Sequence, residues 1–195
     1  MKSYMKEIKN VQRLRHPNII HYTAVFRDQD TSSMYIEMEY CSHGSLIDWM
    51  QAENPDASQK QSVLRQTLLA LACMHEEDIV HCDIKGDNIL VAGDGTVRIC
   101  DFEMSLDKNA TLRASLVGGG VGGTLGFIAP EVQAWGNAGF PTEASKIPED
   151  AAEPSAASDM YAFGVVVLNV LHPPTSSKHY PLTGYDHEGF PRDAV

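Results

Sequence analysis

Positive charge is scarce in this chain. Fifteen Lys and Arg stand against 26 Asp and Glu, a formal net charge of -11 over 195 residues. A nucleic-acid surface needs clustered basic groups to neutralise phosphates, so no nucleic-acid partner is expected. Cysteine is sparse too: Cys41, Cys73, Cys82 and Cys100 lie far apart and form no C-x-x-C pair. That spacing speaks for reduced thiols rather than a disulfide framework, and so for a cytoplasmic protein. No charged-then-apolar leader opens the sequence, and the longest largely apolar stretch, Ala162 to Leu171, is shorter than the roughly 20 residues a spanning helix takes. No membrane contact is evident in this segment, although a longer parent protein could carry an anchor outside it. His75-Glu76-Glu77 lacks the second histidine of H-E-x-x-H, which removes a zinc-hydrolase reading. What remains, 43% hydrophobic and 21% charged residues, suits one ordinary globular domain.

Taken in order, the chain alternates helical and strand patterns. Tyr4, Ile8, Val11 and Leu14 recur at three- and four-residue steps and predict an amphipathic helix over Met1 to Leu14, ended before Pro17. Ile19 to Phe26 and Met34 to Tyr40 read as strands about the polar turn 27–33. Ser45 can cap a short helix through Met50. Ser58 with Gln61 forms a capping-box pattern for the next helix, whose stripe Leu64, Leu68, Leu71 and His75 predicts its core face. Asp94-Gly95 is a strong hairpin turn signal. Residues 138–157, rich in Ala, Pro, Glu and Ser, predict a mobile insertion, and Asp159 to Leu171 is apolar nearly all round, as a core helix would be.

The chemistry concentrates in His81-Cys82-Asp83-Ile84-Lys85-Gly86-Asp87-Asn88-Ile89-Leu90 and, one turn later, in Ile99-Cys100-Asp101-Phe102. Two acids, a lysine and an asparagine at these spacings suit phosphoryl transfer: one carboxylate orients the acceptor hydroxyl, another carboxylate and an amide oxygen hold Mg²⁺, and a lysine faces the moving phosphate. Gly118-x-Gly120-x-x-Gly123 fits a phosphate-loop expression, but no predicted strand leads into it, so it reads as linker.

These stretches resemble the H-R-D-x-x-x-x-N and D-F-G motifs of eukaryotic protein kinases of the serine/threonine type. Other landmarks of that family follow in the right sequence. Ala129-Pro130-Glu131 matches A-P-E, Ser158-Asp159-Met160-Tyr161-Ala162-Phe163-Gly164 resembles the start of the central helix, Met38-Glu39-Tyr40-Cys41 the adenine hinge, and His16-Pro17-Asn18 the turn after helix C. The resemblance implies an α+β, two-lobed kinase-like fold that is incomplete: 1–40 would be a remnant of the small lobe and 41–195 a mainly helical large lobe. A whole kinase domain usually needs roughly 250 residues or more.

It further implies a protein substrate with a Ser or Thr hydroxyl, and ATP and Mg²⁺ as cofactors. Asp83, Lys85, Asn88 and Asp101 would be catalytic, Asn88 and Asp101 holding the metal. Met38, Glu39, Cys41 and Leu90 would line the nucleotide site with Lys85, Asn88 and Asp101. Glu7, His81, Phe102, Thr124, Glu131 and Asp159 would be structural or regulatory, with Glu7 the helix-C acid and Thr124 near Asp83 and Lys85. Three departures bear on activity: Cys82 replaces the loop arginine, Glu103 replaces the D-F-G glycine, and no Gly-rich strand pair or lysine strand precedes Glu7. A pseudokinase-like scaffold is therefore the alternative.

Overall fold

The structure is a computed structural model that describes residues 2–28, 33–109, 123–137 and 148–173, with side chains from Glu7 onward. It is an α+β fold. The helices described are α1 (Lys2–Arg13), α2 (Leu46–Glu53), α3 (Ala57–Glu76), α4 (Pro130–Asn137) and α5 (Ala156–Leu171). The strands are β1 (Tyr22–Arg27), β2 (Met34–Met38), β3 (Ile79–Val80), β4 (Ile89–Val91), β5 (Val97–Ile99) and β6 (Leu106–Asp107). By packing, the chain forms two compact units, Met1–Ile79 with Gly86–Ser105, and Val80–Lys85 with Leu106–Val195. The expected division at 40 and 41 follows family lobes; by packing, residues 41–79 join the first unit.

In the first unit, α1 buries Ile8 and Val11, on the face its periodicity predicts, and Leu14 just past its end is buried too. β1 and β2 form an antiparallel hairpin with Phe26 opposite Tyr35 and Val25 opposite Ile36. The first strand starts later than expected because Ile19 and Ile20 are drawn to β5 instead. Ile20 N–H donates to Ile99 at 2.9 Å and Ile99 N–H to Asn18 at 2.9 Å, which buries both isoleucines. β4 and β5 pair with Ile89 opposite Ile99 and Val91 opposite Val97, and these four side chains are fully buried. Their turn forms as the Asp-Gly signal implies: Gly95 has φ +80, and Thr96 N–H donates to the Asp94 carboxylate at 2.9 Å.

Two helix expectations are corrected. Ser45 caps α2 through a capping box with Asp48, and the helix runs to Glu53 rather than Met50. The capping box of α3 is Asp56 with Gln59, two residues before Ser58 and Gln61. The buried face of α3 is Val63, Thr67, Ala70, Leu71 and Met74; Leu68 is 41% exposed. Thr67 can occupy that face because its hydroxyl donates to the Val63 carbonyl at 2.9 Å, which removes the cost of burying it.

In the second unit, α5 begins at Ala156, with Ser155 and Ser158 closing its capping box. The last residues of the expected insertion, 148–157, thus belong to the fold: Ala152 N–H donates to the Glu131 carbonyl at 2.9 Å, and Pro154 is buried. Residues 138–147 lie outside the described residues. α5 is not buried all round. Ala162, Phe163, Val165, Val166 and Val170 face inward, whereas Met160, Tyr161 and Leu171 are exposed.

Candidate active site

The second unit holds the loop Val80–Lys85 on a buried carboxylate. Asp159, in the first turn of α5 and 1% exposed, accepts His81 N–H at 2.8 Å and Cys82 N–H at 2.9 Å, one on each oxygen. That grip matters because Cys82 has φ +68, a left-handed conformation that is uncommon for a residue with a side chain. Gly123 closes on the same peptide from outside the loop. With φ +134, a Cβ there would lie 2.9 Å from the Cys82 carbonyl oxygen, so the close approach requires glycine. His81 is fully buried, and its Nδ1 accepts Asp83 N–H at 3.3 Å.

The next residues form a closed triangle. Lys85 Nζ donates to Asp83 Oδ2 at 2.8 Å and to Thr124 Oγ1 at 2.7 Å, while the Thr124 hydroxyl donates to Asp83 Oδ1 at 2.8 Å. Burial pushes the Asp83 carboxyl up, but the hydrogen bonds from Lys85 and Thr124 and the Lys85 charge outweigh it and hold the group below its ordinary value. Asp83 is thus an ionised acceptor at neutral pH. Glu131 is half-buried at the start of α4, where its charge raises the Tyr161 phenol after burial has done so.

The first unit holds both Asn88 and Asp101. Gly86–Asn88 form a 3₁₀ turn packed so closely that a Cβ on Gly86 would meet Ile47 at 2.8 Å. Asn88 is buried, and its carbonyl accepts Cys100 N–H at 2.9 Å, which sets it beside the residue before Asp101. Asp101 is exposed with φ +63. A carboxamide and a carboxylate are hard oxygen donors, and this pair fits Mg²⁺, which takes one or two carboxylates and completes its shell with phosphate and water oxygens.

Phe102 is fully buried. Glu7, also buried, accepts the Tyr22 hydroxyl at 2.5 Å. Burial, with the Asp101 and Glu103 charges, raises the Glu7 carboxyl above its ordinary value against the Tyr22 hydrogen bond. At the hinge, Glu39 pairs with Arg98 Nε at 2.8 Å and accepts His21 N–H at 3.1 Å. Cys41 is buried, which pushes its thiol up. Leu90 sits on β4 opposite Arg98. Met38, the last residue of β2, is 41% exposed.

The family described as "Protein kinase domain" matches residues 1–183. The chain belongs to the protein kinase family. It is 33% identical over 167 residues to the mitogen-activated protein kinase kinase kinase bck1 of Aspergillus fumigatus, covering 85% of this chain and 9% of that protein. It is also 33% identical over 128 residues to the serine/threonine-protein kinase KIC1 of Saccharomyces cerevisiae, covering 66% of this chain and 11% of that one. A further relative, the serine/threonine-protein kinase fray1 of Dictyostelium discoideum, is 33% identical over 138 residues, 68% of this chain and 23% of the relative. The chain thus spans about a tenth to a quarter of the length of these kinases.

Within this kinase-family chain, the sequence motifs single out Asp83, Lys85, Asn88, Asp101, Thr124 and Asp159. They do not single out Tyr22, Asn10 or Ser105; hydrogen bonds join Tyr22 and Ser105 to Glu7 and Asn10 of α1. Asn10 Nδ2 donates to Ser105 Oγ at 2.9 Å, and both residues are buried. A polar residue three after Glu7 was the one signal for Asn10. Gly118 and Gly120 lie outside the described residues. No helix among the described residues is long and apolar enough to cross a membrane.

Proposed function

We propose that the protein transfers the γ-phosphate of ATP to a serine or threonine hydroxyl of a protein substrate. The observation that carries this reading is the Asp83–Lys85–Thr124 triangle. It keeps one carboxylate ionised beside one ammonium, the pair needed at an acceptor hydroxyl and a transferring phosphate. Asp83 orients the hydroxyl and takes its proton, Lys85 neutralises charge on the phosphate oxygens, and Thr124 keeps the two in register. Asn88 and Asp101 are the residues that would hold Mg²⁺, which supplies charge neutralisation between the phosphates when bound. Met38, Glu39, Cys41 and Leu90 would line the adenine side. Four free thiols support a reducing, cytoplasmic setting.

The test is phosphate transfer from ATP to a generic protein substrate by the full-length protein, with nucleotide affinity followed in parallel. Asp83→Asn is expected to lower the rate by about 10²-fold or more, the usual worth of a positioned base, while ATP still binds. Asp101→Asn is expected to weaken Mg²⁺-dependent nucleotide binding as well. Transfer that survives Asp83→Asn would sink the reading.

One observation favours a scaffold without catalysis. Glu103 adds a carboxylate where the family has glycine, and its charge joins that of Asp101 around Glu7. If that crowding restrains Asp101, Glu103→Gly raises the rate. A full-length protein that transfers no phosphate with or without this change is a pseudokinase.

A further inference from the structure

His21 and Glu39 stand opposite each other at the open end of the β1–β2 hairpin, one residue beyond the Tyr22–Met38 pair. In an antiparallel ladder, two residues that bond to each other exchange both N–H···O=C bonds. Here only one of the two is made. Glu39 N–H donates to the His21 carbonyl at 3.4 Å, but His21 N–H turns to the Glu39 side chain and donates to Oε1 at 3.1 Å. The carboxylate has taken the place of its own carbonyl. Among the described residues, nothing donates to the Glu39 carbonyl oxygen.

A third segment fixes this exchange of acceptors. Arg98 Nε, on β5, pairs with Glu39 Oε2 at 2.8 Å. Each carboxylate oxygen therefore has its own donor, which sets the plane of the group as well as its position. Arg98 is steadied in turn, because Nη1 donates to the Val97 carbonyl at 3.2 Å. The strand that carries it is tied to the segment that carries His21, through Ile20 N–H to the Ile99 carbonyl at 2.9 Å. Both donors to the carboxylate thus stand on one hydrogen-bonded platform. The Glu39 side chain is 31% exposed, and an ion pair this open to water adds little to stability. What it changes is which acceptor the His21 N–H uses.

We propose that the Glu39 carboxylate, pinned by Arg98, is a specificity-determining positioning group for the nucleotide base: it keeps the Glu39 carbonyl unclaimed, so that this oxygen accepts the exocyclic amine of adenine. The inference rests on the reading of Met38 to Cys41 as the adenine side of the site, and it gives a task to two side chains that this reading leaves without one. A base that lacks the amine brings no donor to the carbonyl, and the unpaired acceptor then weakens its binding.

The test compares the affinity of the full-length protein for ATP with its affinity for purine riboside triphosphate, which lacks only the amine, by titration at constant Mg²⁺. Wild type is expected to favour ATP about ten-fold, the usual worth of one hydrogen bond. Glu39→Ala releases the His21 N–H to the main-chain carbonyl opposite it, and the preference is expected to fall to about two-fold, through weaker ATP binding. Arg98→Met is expected to lower it as well, and Arg98→Lys, which keeps the charge but not the planar fork, to restore it in part. A preference that survives Glu39→Ala overturns the proposal. So does an equal loss of affinity for both nucleotides, the mark of a structural role alone. A preference that falls in Glu39→Ala but survives Arg98→Met overturns the part given to Arg98. If wild type binds the two nucleotides alike, the adenine reading of this segment falls and the inference with it. Because the readout is binding, a protein that transfers no phosphate still decides among these outcomes.

Discussion

Thr124 Oγ1 accepts from Lys85 at 2.7 Å and donates to Asp83 at 2.8 Å, so one hydroxyl serves both members of an ion pair that already meets at 2.8 Å. Its removal has a kinetic and a thermodynamic consequence. Thr124→Val keeps the shape and is expected to slow phosphate transfer about ten-fold, with Thr124→Ser close to wild type. The folded-state pKa of Asp83 is depressed, so the group contributes stability above the unfolded value of about 3.9 and loses it as pH falls through the lower folded value. Thr124→Val weakens the depression. The stability difference between wild type and variant should therefore be largest near neutrality and vanish in strong acid, measured by urea unfolding across pH. A difference that grew toward low pH would reverse the sign of the argument. Residues at this scale divide by how they are found. Asp83 and Lys85 are legible because they share one short motif, and Thr124, 41 residues from Asp83, only through the family resemblance. Tyr22, Asn10 and Ser105 are not, because each acts through a partner 15 or 95 residues away, which no local pattern encodes.

Among the elements, helices are more legible in the sequence than their faces. The leucine stripe of α3 and its buried face overlap one residue apart on that helix. The buried face contains Thr67 and Ala70, which a hydrophobicity count passes over. Tertiary hydrogen bonding decided between them: Gln66, next to Thr67, accepts Asn18 Nδ2 at 2.8 Å and Val97 N–H at 3.0 Å, and so fixes the helix rotation against β5. The start of α3 is ambiguous in the sequence for a related reason, since Asp56-x-x-Gln59 and Ser58-x-x-Gln61 both fit the capping box. The structure uses Asp56, whose carboxylate accepts Gln59 N–H at 2.8 Å, with Gln59 returning a contact to Asp56 N–H at 2.9 Å. Asp56→Ala should cost about 1 kcal/mol of stability, whereas Ser58→Ala should stay within about 0.5 kcal/mol. Equal losses in chemical denaturation would mean that the helix starts at Ser58.

At the scale of the molecule, net charge and exposed apolar surface oppose each other. The hairpin of β1 and β2 leaves Phe26 53%, Tyr35 55% and Met38 41% exposed, with Phe26 directly opposite Tyr35. A two-stranded sheet is marginal by itself in water, and unpaired edges with apolar side chains favour pairing with another chain. A formal charge of -11 keeps copies apart, but only over a Debye length, which shrinks from about 30 Å at 0.01 M salt to about 3 Å at 1 M. The 195-residue chain should therefore self-associate as salt is raised, a trend opposite to that of an interface held by ion pairs. Sedimentation velocity at increasing protein and salt concentration measures it. Phe26→Lys with Tyr35→Lys provides the control. Two added lysines lower the repulsion, so if charge governed association the variant would associate more. If the apolar pair governs it, the variant stays monomeric at salt concentrations where wild type does not. A wild-type chain that remains monomeric at high salt would show that this hairpin is not a contact surface.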